Sequence, residues 1–347
     1  MDAMQEIGRR VREDRLALGL KQVELAERAD VSRALIGALE HGRHMPAADA
    51  AIRVARALNT SVERLFDNSG LAPAVAAIGV LGERLLDGAL VRAAWVETAM
   101  VVRVLDAVAA LSPIGALADG VVFGGQVRLF SGAAPRGAVI AGCDPVLGIA
   151  EGLLERSGDA RIVGVPTTSG RALDALKAGR SHGALVHGPA KGLKPPPGVQ
   201  RWHLARWRSG VATHPRLSRP SLEALLADEV PMIQRDPSAA SQQAFQRAAK
   251  KLGAPRPSLG TTSGSHFDAA RSALEHRAAA VTIEPIAVAV GLDFHELEVH
   301  DVELWVPKRW TRLPGIREFV ELLGTSRFQD RAGALPAYDL TSTGAAR

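Results

Sequence analysis

The stretch QVELAERADVSRALIGALEHG, residues 22–42, decides how the N-terminal part of this chain folds. Its apolar residues recur at helical spacing on both sides of the sequence Asp-Val-Ser at 30–32, which predicts two short helices joined by a tight turn. Ser32 is a favoured N-cap for the second helix, and Gly42 ends it. The residues expected to face a core are Leu25, Ala26, Ala29, Leu35, Ile36 and Leu39.

Three further helices are predicted around this pair. Residues 4–18 place apolar side chains near one face, and residues 47–58 and 61–66 form two more short amphipathic segments. Residues 1–70 are therefore predicted to form an all-α domain of five helices.

This pattern resembles the helix-turn-helix repressor domains of the Xre/Cro type over roughly residues 4–67. The matching residues are Gln22, Leu25, Ala26, Val31, Ser32, Ile36, Glu40, Gly42 and Pro46. In that family the third helix enters the major groove with its N-terminal end first. The resemblance implies that operator DNA is contacted by Gln22, Ser32, Arg33, Ala34, Ala38 and Arg43. Among the residues expected at base edges, Arg33 carries a long donor, which suits guanine.

The charge of the predicted DNA-binding domain is balanced. Residues 1–70 contain 11 Lys and Arg and 11 Asp and Glu. Since DNA binding draws on locally positive charge, a single neutral domain is expected to bind weakly. This predicts a homodimer on a palindromic operator, with two recognition helices about one helical turn apart.

The rest of the net charge of +5 is unevenly placed. Residues 161–220 contain 11 Lys and Arg against Asp174 alone. Three interpretations remain open, namely a solvated basic surface, an electropositive wall around an anionic ligand, and extra contact with the DNA backbone.

Composition and hydropathy indicate a cytoplasmic protein. Cys143 is the one cysteine, so the chain has no internal disulfide. No apolar run reaches the roughly 18–20 residues that span a bilayer, and no signal peptide precedes the first helix. The sequence predicts no membrane partner.

Residues 71–130 are interpreted as a connector and a candidate dimerisation region. The run Val121–Leu129 places a Gly-Gly pair between β-rich segments, which predicts a hairpin. The segments Val91–Val96 and Met100–Leu105 fit either two strands or one helix.

From residue 138 onward, strands alternate with helices, which indicates an α/β domain with parallel strands. Strands are predicted at 138–141, 161–165, 183–186, 230–236 and 280–284. Helices are predicted at 146–156, about 170–178, 239–252 and 267–275. Residues 202–215 and 298–306 are the two candidate crossovers between lobes.

The sequence Thr-Thr-Ser-Gly occurs twice, at 167–170 and at 261–264, each time before a helix and a strand. This repeat predicts two lobes of similar architecture, each presenting a helix N-terminus to a cleft. Free backbone N–H groups and hydroxyls at such termini favour anions. Pro237-Ser238 is predicted to cap the helix at 239–252, with Arg235 beside it as a further anion contact.

The stretch from about 85 to 345 resembles the substrate-binding domain, of the type-2 periplasmic-binding-protein fold, that is attached to some helix-turn-helix regulators. The matching pieces include residues 141–145, Ser169-Gly170, Gln234-Arg235, His266, 291–294, 304–307 and 337–344. The resemblance implies a two-lobed ligand-sensing domain over 131–347, with molybdate and tungstate binders among its relatives. After Arg235 this chain carries Asp-Pro-Ser-Ala-Ala-Ser-Gln where the family has a Gly-rich loop with a second Arg, which leaves the effector open between an oxyanion and an organic acid.

The candidate ligand-binding residues are Asp144, Thr167, Thr168, Ser169, His187, Arg235, Ser238, His266 and Glu284. Asp144 is either a ligand contact or a helix cap, and Cys143 is either an activated thiol or a small buried residue. The histidines lack the short-range spacing of zinc sites, so no metal and no cofactor are predicted. No nucleophile elbow, phosphate loop or dinucleotide fingerprint is present, so no catalytic residue is predicted.

The sequence thus predicts a multidomain, ligand-responsive transcriptional regulator that is not an enzyme. It would bind operator DNA through its N-terminal helices and a small anionic effector between two C-terminal lobes. Two alternatives stay open, in which the C-terminal domain is a ligand-free dimerisation module or an enzyme.

Overall fold

The structure is a computed structural model that describes residues 3–66, 71–111, 115, 117–133, 135–157, 161–218, 220–227, 229–253 and 261–347. The chain divides into two compact units. The N-terminal unit comprises residues 1–77, 85–92 and 104–134, and the C-terminal unit comprises residues 78–84, 93–103 and 135–347. Residues 71–130 therefore contribute to both units.

The described residues form the following helices and strands. The helices are α1 (Ala3–Ala17), α2 (Gln22–Arg28), α3 (Arg33–Glu40), α4 (Ala48–Ala57), α5 (Val62–Phe66), α6 (Ala107–Ala110), α7 (Val146–Ser157), α8 (Ser169–Lys177), α9 (Leu222–Leu226), α10 (Ala240–Lys251), α11 (His266–His276), α12 (Glu284–Ala289), α13 (Pro314–Leu323) and α14 (Ser326–Ala332). The strands are β1 (Leu71–Val75), β2 (Ala77–Gly79), β3 (Leu90–Val96), β4 (Ala99–Val104), β5 (Gly120–Phe123), β6 (Gln126–Phe130), β7 (Ala138–Gly142), β8 (Ile162–Pro166), β9 (Gly183–Gly188), β10 (Val199–Thr213), β11 (Met232–Arg235), β12 (Thr262–Ser263), β13 (Ala279–Ile283) and β14 (Asp293–Pro307).

Helices α1–α5 enclose one apolar core, which confirms the predicted five-helix domain. Its buried members are Ile7, Val11, Leu25, Ala26, Ala29, Ile36, Leu39, Val54, Ala55, Leu58 and Leu65. The turn between α2 and α3 is set by Asp30, with a φ of 49°, and by Ser32, whose Oγ accepts the Leu35 N–H at 3.1 Å. The predicted N-cap at Ser32 is thus present, and it fixes where α3 begins.

The N-terminal unit also contains the predicted hairpin. Strands β5 and β6 pair antiparallel, and Gly124 and Gly125 join them with φ values of 60° and 73°. Both angles lie in the left-handed region that glycine adopts without a Cβ penalty, as a tight hairpin turn requires. The segments at 91–96 and 100–105, left open by the sequence, form strands β3 and β4.

The C-terminal unit is built on an eight-stranded sheet with the order β12-β11-β13-β10-β14-β9-β7-β8. In the first lobe (β7–β9 with α7, α8, α13 and α14), β7 lies parallel between β8 and β9. In the second lobe (β11–β13 with α9–α12), β11 lies parallel between β12 and β13. The predicted duplication of architecture is therefore present.

The two predicted crossovers are the long strands β10 and β14, which pair antiparallel along their length in the middle of the sheet. The end of β10 pairs with β13 of the second lobe, whereas the end of β14 pairs with β9 of the first lobe. Buried apolar clusters cover the strands of both lobes. One of the first-lobe clusters includes Ile283 of β13, so the two lobes share part of their apolar packing.

The two copies of the repeated sequence differ in detail. In the first copy Thr168 is the N-cap of α8 and accepts the Arg171 N–H at 3.3 Å. In the second copy Thr262 and Ser263 form β12, and the N-cap of α11 is Ser265. The predicted Ser238 cap of α10 is wrong, because the N-cap is Ala239 with no side-chain bond, and the Ser238 hydroxyl binds Asp236 instead.

Candidate functional site

The predicted DNA contacts lie on and beside α3. Arg33 and Ala34 are exposed at its N-terminal end, and Ala38 is half-buried one turn later. Arg43 is exposed just after the helix. Ser32 accepts the Leu35 N–H, so its hydroxyl holds the start of the helix and stays exposed.

A nearly buried carboxylate ties α1, α2 and α3 together. The guanidinium of Arg15 donates to both oxygens of Glu40, at 2.6 and 3.0 Å. The amide nitrogen of Gln22 donates to Glu40 Oε2 at 2.8 Å. Gln22, predicted as a DNA contact, is therefore oriented by Glu40, and the same network fixes α3 on the other helices.

Three side chains meet where strands of the two lobes end. Cys143 follows β7, His187 lies in β9, and His266 opens α11. The Cys143 Sγ and one ring nitrogen of each histidine lie within 4.8 Å of one another. Both histidines are buried, and Cys143 is half-buried. This Cys–His cluster (Cys143, His187 and His266) joins the first lobe to the second.

A chain of hydrogen bonds orients His187. Its Nδ1 lies 2.9 Å from Nδ1 of His300, and the other nitrogen of His300 lies 3.1 Å from Glu298 Oε2. Glu298 in turn accepts two hydrogen bonds from Arg247, at 2.7 and 2.8 Å. The Arg247 hydrogen bonds and then His300 hold the pKa of Glu298 down to about 2, so Glu298 is a carboxylate that accepts from His300.

The second lobe contributes a buried cation beside the cluster. Arg235 is fully buried, and it donates from Nε to the Ser263 carbonyl and from Nη2 to the Gly264 carbonyl, both at 3.1 Å. Within the described part of the chain, its Nη1 is buried without a hydrogen-bond partner, and so are both ring nitrogens of His266. This end of the cleft therefore holds unused polar groups, which buried sites rarely leave unpaired.

Asp144 supports the back of the site. Its Oδ2 accepts the Trp207 indole N–H at 2.9 Å, and its Oδ1 accepts the Tyr338 hydroxyl at 3.0 Å and the Val146 N–H at 2.9 Å. The Trp207 ring packs on His187, with centroids 4.7 Å apart. Burial raises the pKa of Asp144. Asp144 was predicted either to contact a ligand or to cap a helix, and its bond to the Val146 N–H at the start of α7 is a helix cap.

Hydroxyl groups link the lobes at the mouth of the cleft. Thr168 Oγ1 of the first lobe lies 3.0 Å from Ser238 Oγ of the second. Since Ser238 donates its one hydroxyl proton to Asp236 at 2.5 Å, Thr168 is the donor to Ser238. Ser169 Oγ accepts the His187 N–H at 3.2 Å, and Thr167 is buried next to it. The Thr168–Ser238 bond holds the lobes in contact.

Glu284 is committed to another partner. Its carboxylate accepts from the guanidinium of Arg208, a half-exposed side chain on β10. The structure thus brings together Thr168, Ser169, His187, Arg235, Ser238 and His266 of the predicted ligand contacts. Asp144 and Glu284 are occupied by hydrogen bonds to the protein itself.

Burial sets the protonation of the Cys–His cluster. Burial, with the charges of neighbouring rings and Arg235, holds the pKa of His187 and His266 well below the usual value for histidine. Burial also raises the pKa of the Cys143 thiol to about 12, which favours the protonated thiol near neutral pH. Near neutral pH the cluster offers nitrogen lone pairs and a thiol.

The sequence did not reveal several members of this site. Cys143 was not predicted as a ligand contact. His300 was considered only among the histidines judged not to bind metal, and Trp207 and Glu298 only as parts of the crossover segments. Cys143, Trp207 and the pair Glu298 and His300 lie in distant segments of the chain, so no zinc-type spacing marks them together. For Cys143 the sequence offered one usable signal, which is that it directly follows a buried strand whose carboxyl end faces the cleft.

Two family models match the chain. A helix-turn-helix model matches residues 11–65, and a PBP superfamily domain model matches residues 150–324, half of the chain. The chain belongs to the PBP superfamily. An uncharacterized HTH-type transcriptional regulator of Methanothermobacter thermautotrophicus is 51% identical over 57 residues, which cover 16% of this chain and 83% of that protein. This PBP superfamily member is therefore a helix-turn-helix regulator with a PBP-like domain.

Solved structures resemble the two parts separately. An ABC-type phosphate transport receptor from Vibrio cholerae is 11% identical and covers 58% of this chain and 99% of its own, with a TM-score of 0.43. The restriction-modification controller protein C.AhdI from Aeromonas hydrophila is 32% identical and covers 18% of this chain and 96% of its own, with a TM-score of 0.18. None of the described helices has both the length and the apolar character that a membrane span needs.

Proposed function

We propose that this protein is a ligand-responsive transcriptional regulator. In this proposal α1–α5 bind operator DNA as part of a homodimer, and a small anionic effector binds between the two lobes. The observation that carries the effector half is the buried Arg235 with its unpartnered Nη1.

Arg235 needs a counterion that the described residues do not supply. No carboxylate of the described part of the chain lies within ion-pair distance of its guanidinium, whose hydrogen bonds go to backbone carbonyls. Burying an unpaired charge is costly, so a group that pairs with it inside the cleft binds favourably. A small anion at Nη1 would supply that pair.

The surrounding donors narrow the effector class. The one ring N–H of neutral His266, the Cys143 thiol and the N-terminal end of α8 at Ser169 can each donate to an oxygen of an anion. An oxyanion or a small carboxylate matches these groups, whereas the positive charge of Arg235 would repel a cation that binds without an anion.

Closure of the lobes would transmit the signal. Arg235 and Ser238 lie in the second lobe and Thr168 and Ser169 in the first, so an effector that contacts both groups binds the closed arrangement better than an open one. An effector shifts a conformational equilibrium only by its differential affinity for the two states, and tenfold corresponds to about 1.4 kcal/mol. The altered equilibrium would change how two paired recognition helices reach their half-sites.

The DNA half is supported by the exposure of Arg33 and Ala34 at the start of α3, the end that enters the groove in such domains. Arg33→Ala tests it. We expect operator affinity to fall about 10–100-fold, as loss of one good base contact costs roughly 1–3 kcal/mol. Effector-induced stabilisation should be unchanged. Retained operator affinity in this variant would contradict the DNA assignment.

The effector half is tested by thermal unfolding of the full chain with molybdate, tungstate, sulfate, phosphate and a panel of organic acids. A ligand of the folded state adds about 4 kcal/mol at a thousandfold excess over its Kd, which raises the Tm by several degrees. A shift with one of these anions supports the proposal. Silence across the panel would favour a dimerisation module without ligand, and turnover of a bound compound would favour an enzyme.

A further inference from the structure

The Cys–His cluster has the composition of a transition-metal site. A thiolate and two imidazoles are the ligands that Zn²⁺ and Cu⁺ prefer, and three protein ligands with one open position are typical of zinc sites that bind an exogenous group. Among the described residues, Cys143, His187 and His266 form a group of side chains whose ligand atoms lie close enough together to hold a metal ion. Nothing in its hydrogen bonding uses up the ligating atoms of His266.

His187 is held as a ligand would be. For His187 to act as a ligand through Nε2, its Nδ1 must donate to Nδ1 of His300, whose Nε2 then donates to Glu298. The proton of His187 then sits on Nδ1, and its Nε2 carries the lone pair. A metal-ligating histidine usually donates its other ring N–H to a fixed acceptor, and here His300, oriented by Glu298, is that acceptor.

His266 supplies the independent observation. Its side chain is 3% exposed, and neither ring nitrogen has a hydrogen-bond partner among the described atoms. Buried polar atoms are nearly always satisfied by protein, water or an ion. One of these nitrogens lies within 4.8 Å of the Cys143 Sγ and of a His187 nitrogen.

We propose that Cys143, His187 and His266 bind a soft transition-metal ion, Zn²⁺ or Cu⁺, that bridges the two lobes. Binding releases the Cys143 thiol proton to water as the metal–sulfur bond forms, with no change in oxidation state. The inference rests on the proposed function only for its consequence, that the bound metal alters operator affinity.

The geometry requires a small closing movement. Tetrahedral ligands at about 2.0–2.3 Å from zinc lie roughly 3.3–3.6 Å apart, so a cluster that spans up to 4.8 Å must contract by about 1 Å. Cys143 and His187 belong to the first lobe and His266 to the second. The contraction therefore draws the lobes together.

The buried guanidinium of Arg235 is compatible with this site. The thiolate offsets one positive charge of the metal, and the fourth metal position is left open by the three protein ligands. An anion at that position would also face the unpartnered Nη1 of Arg235. Metal and anion would then occupy the cleft together, and the anion would bind more tightly when the metal is present.

The test is metal binding by the full chain after chelation and reduction. Zn²⁺ is titrated against a competing chromophoric chelator, Cu⁺ against a cuprous chelator, and Co²⁺ is followed by its thiolate-to-metal absorption. We expect one metal per chain. Cys143→Ser should abolish the thiolate absorption. Both Cys143→Ser and His266→Gln should lower Zn²⁺ affinity more than about 100-fold. His300→Gln, which removes the support of His187, should lower it about 10–100-fold.

The matched control is His276→Gln, because His276 lies at the exposed end of the same helix as His266. Its metal affinity should equal that of the natural chain, and circular dichroism should show all variants folded. Absence of tight Zn²⁺, Cu⁺ and Co²⁺ binding would overturn the proposal. So would binding that survives Cys143→Ser or that His276→Gln weakens equally.

Failure of this inference is distinguishable from failure of the proposed function. If metals do not bind but an anion still stabilises the chain through Arg235, the metal site is wrong and the sensor stands. If the metal binds at the cluster but neither metal nor anion changes operator affinity, the site is supported and its regulatory consequence is wrong.

Discussion

The sequence Thr-Thr-Ser-Gly occurs once in each lobe, and the two copies have different roles. The copy at 167–170 caps α8 and donates through Thr168 to Ser238 across the cleft. The copy at 261–264 forms a short edge strand, and its carbonyl groups hold the buried Arg235. The two lobes share a strand order, and each presents a hydroxyl to the cleft, but the thiol of Cys143 comes from the first lobe and the buried cation Arg235 from the second.

Duplication of the lobe architecture has therefore not duplicated a binding site. The order of the parallel strands places both repeats at the cleft edge of the sheet. The side chains that follow each repeat then decide what that edge can bind. An anionic effector would meet charge from one lobe and neutral hydrogen-bond donors from the other.

The largest expected effect comes from removing the charge of the second lobe. Arg235→Met should abolish anion-induced stabilisation, a loss of about 4 kcal/mol at a thousandfold excess of ligand. The unliganded protein should be equally stable or more stable, because the variant no longer buries an unpaired charge. Thermal unfolding with and without each anion measures both effects. The control is Arg271→Gln, an exposed arginine of α11, in which the anion should raise the Tm as much as in the natural chain. An equally large rise in the Tm of Arg235→Met would contradict the proposed role of Arg235.

The next effect concerns His182, a buried histidine just before β9 of the first lobe; the second lobe has Ala278 just before β13. Burial, followed by the charge of Arg309, lowers the pKa of His182 from 6.5 to about 4. The folded state then binds fewer protons than the unfolded state between these pH values, so stability falls as the pH drops from 6.5 toward 4.

The shift of His182 corresponds to about 3 kcal/mol over that interval. In His182→Gln this part of the pH dependence should vanish, as measured by urea unfolding at several pH values. His276→Gln in the second lobe is exposed and should keep the full dependence. A parallel pH profile for His182→Gln and the natural chain would show that this residue does not cause the acid sensitivity.

The smallest effect comes from the bond between the lobes. Ser238→Ala removes the acceptor of Thr168 and should weaken anion binding by about 1 kcal/mol, roughly fivefold, because the closed arrangement loses one hydrogen bond. Anion titration monitored by tryptophan fluorescence measures the change. Ser272→Ala, on the outer part of the same lobe, should have no effect. An unchanged affinity in Ser238→Ala would mean that the bond does not contribute to closure.

Local patterns made much of the fold predictable. The apolar spacing in residues 22–42, the N-cap at Ser32 and the glycine pair at 124–125 each specify their own conformation through contacts between near neighbours. The βαβ units of both lobes were likewise visible, since buried parallel strands read as short continuous apolar runs. The PBP-like fold followed from these units and from the family resemblance.

The site was less predictable because it depends on contacts between distant segments. The repeat and Arg235 pointed to the cleft, but the meeting of Cys143, His187 and His266 depends on how three strand ends are ordered in the sheet. The support from Glu298 and His300 depends on β14 crossing between the lobes. Asp144 and Glu284 illustrate the opposite case, in which acidic residues near the cleft bind partners of their own.

Anion-responsive DNA binding is tested most directly by the operator affinity of the full chain, measured by fluorescence anisotropy on an operator selected from random duplexes. The measurement compares the natural chain with Arg235→Met, in the absence and presence of molybdate, tungstate, phosphate, sulfate and the organic acids. We expect at least one anion to change the operator affinity of the natural chain severalfold and to leave that of Arg235→Met unchanged. No change with any anion, or an equal change in both proteins, would contradict it.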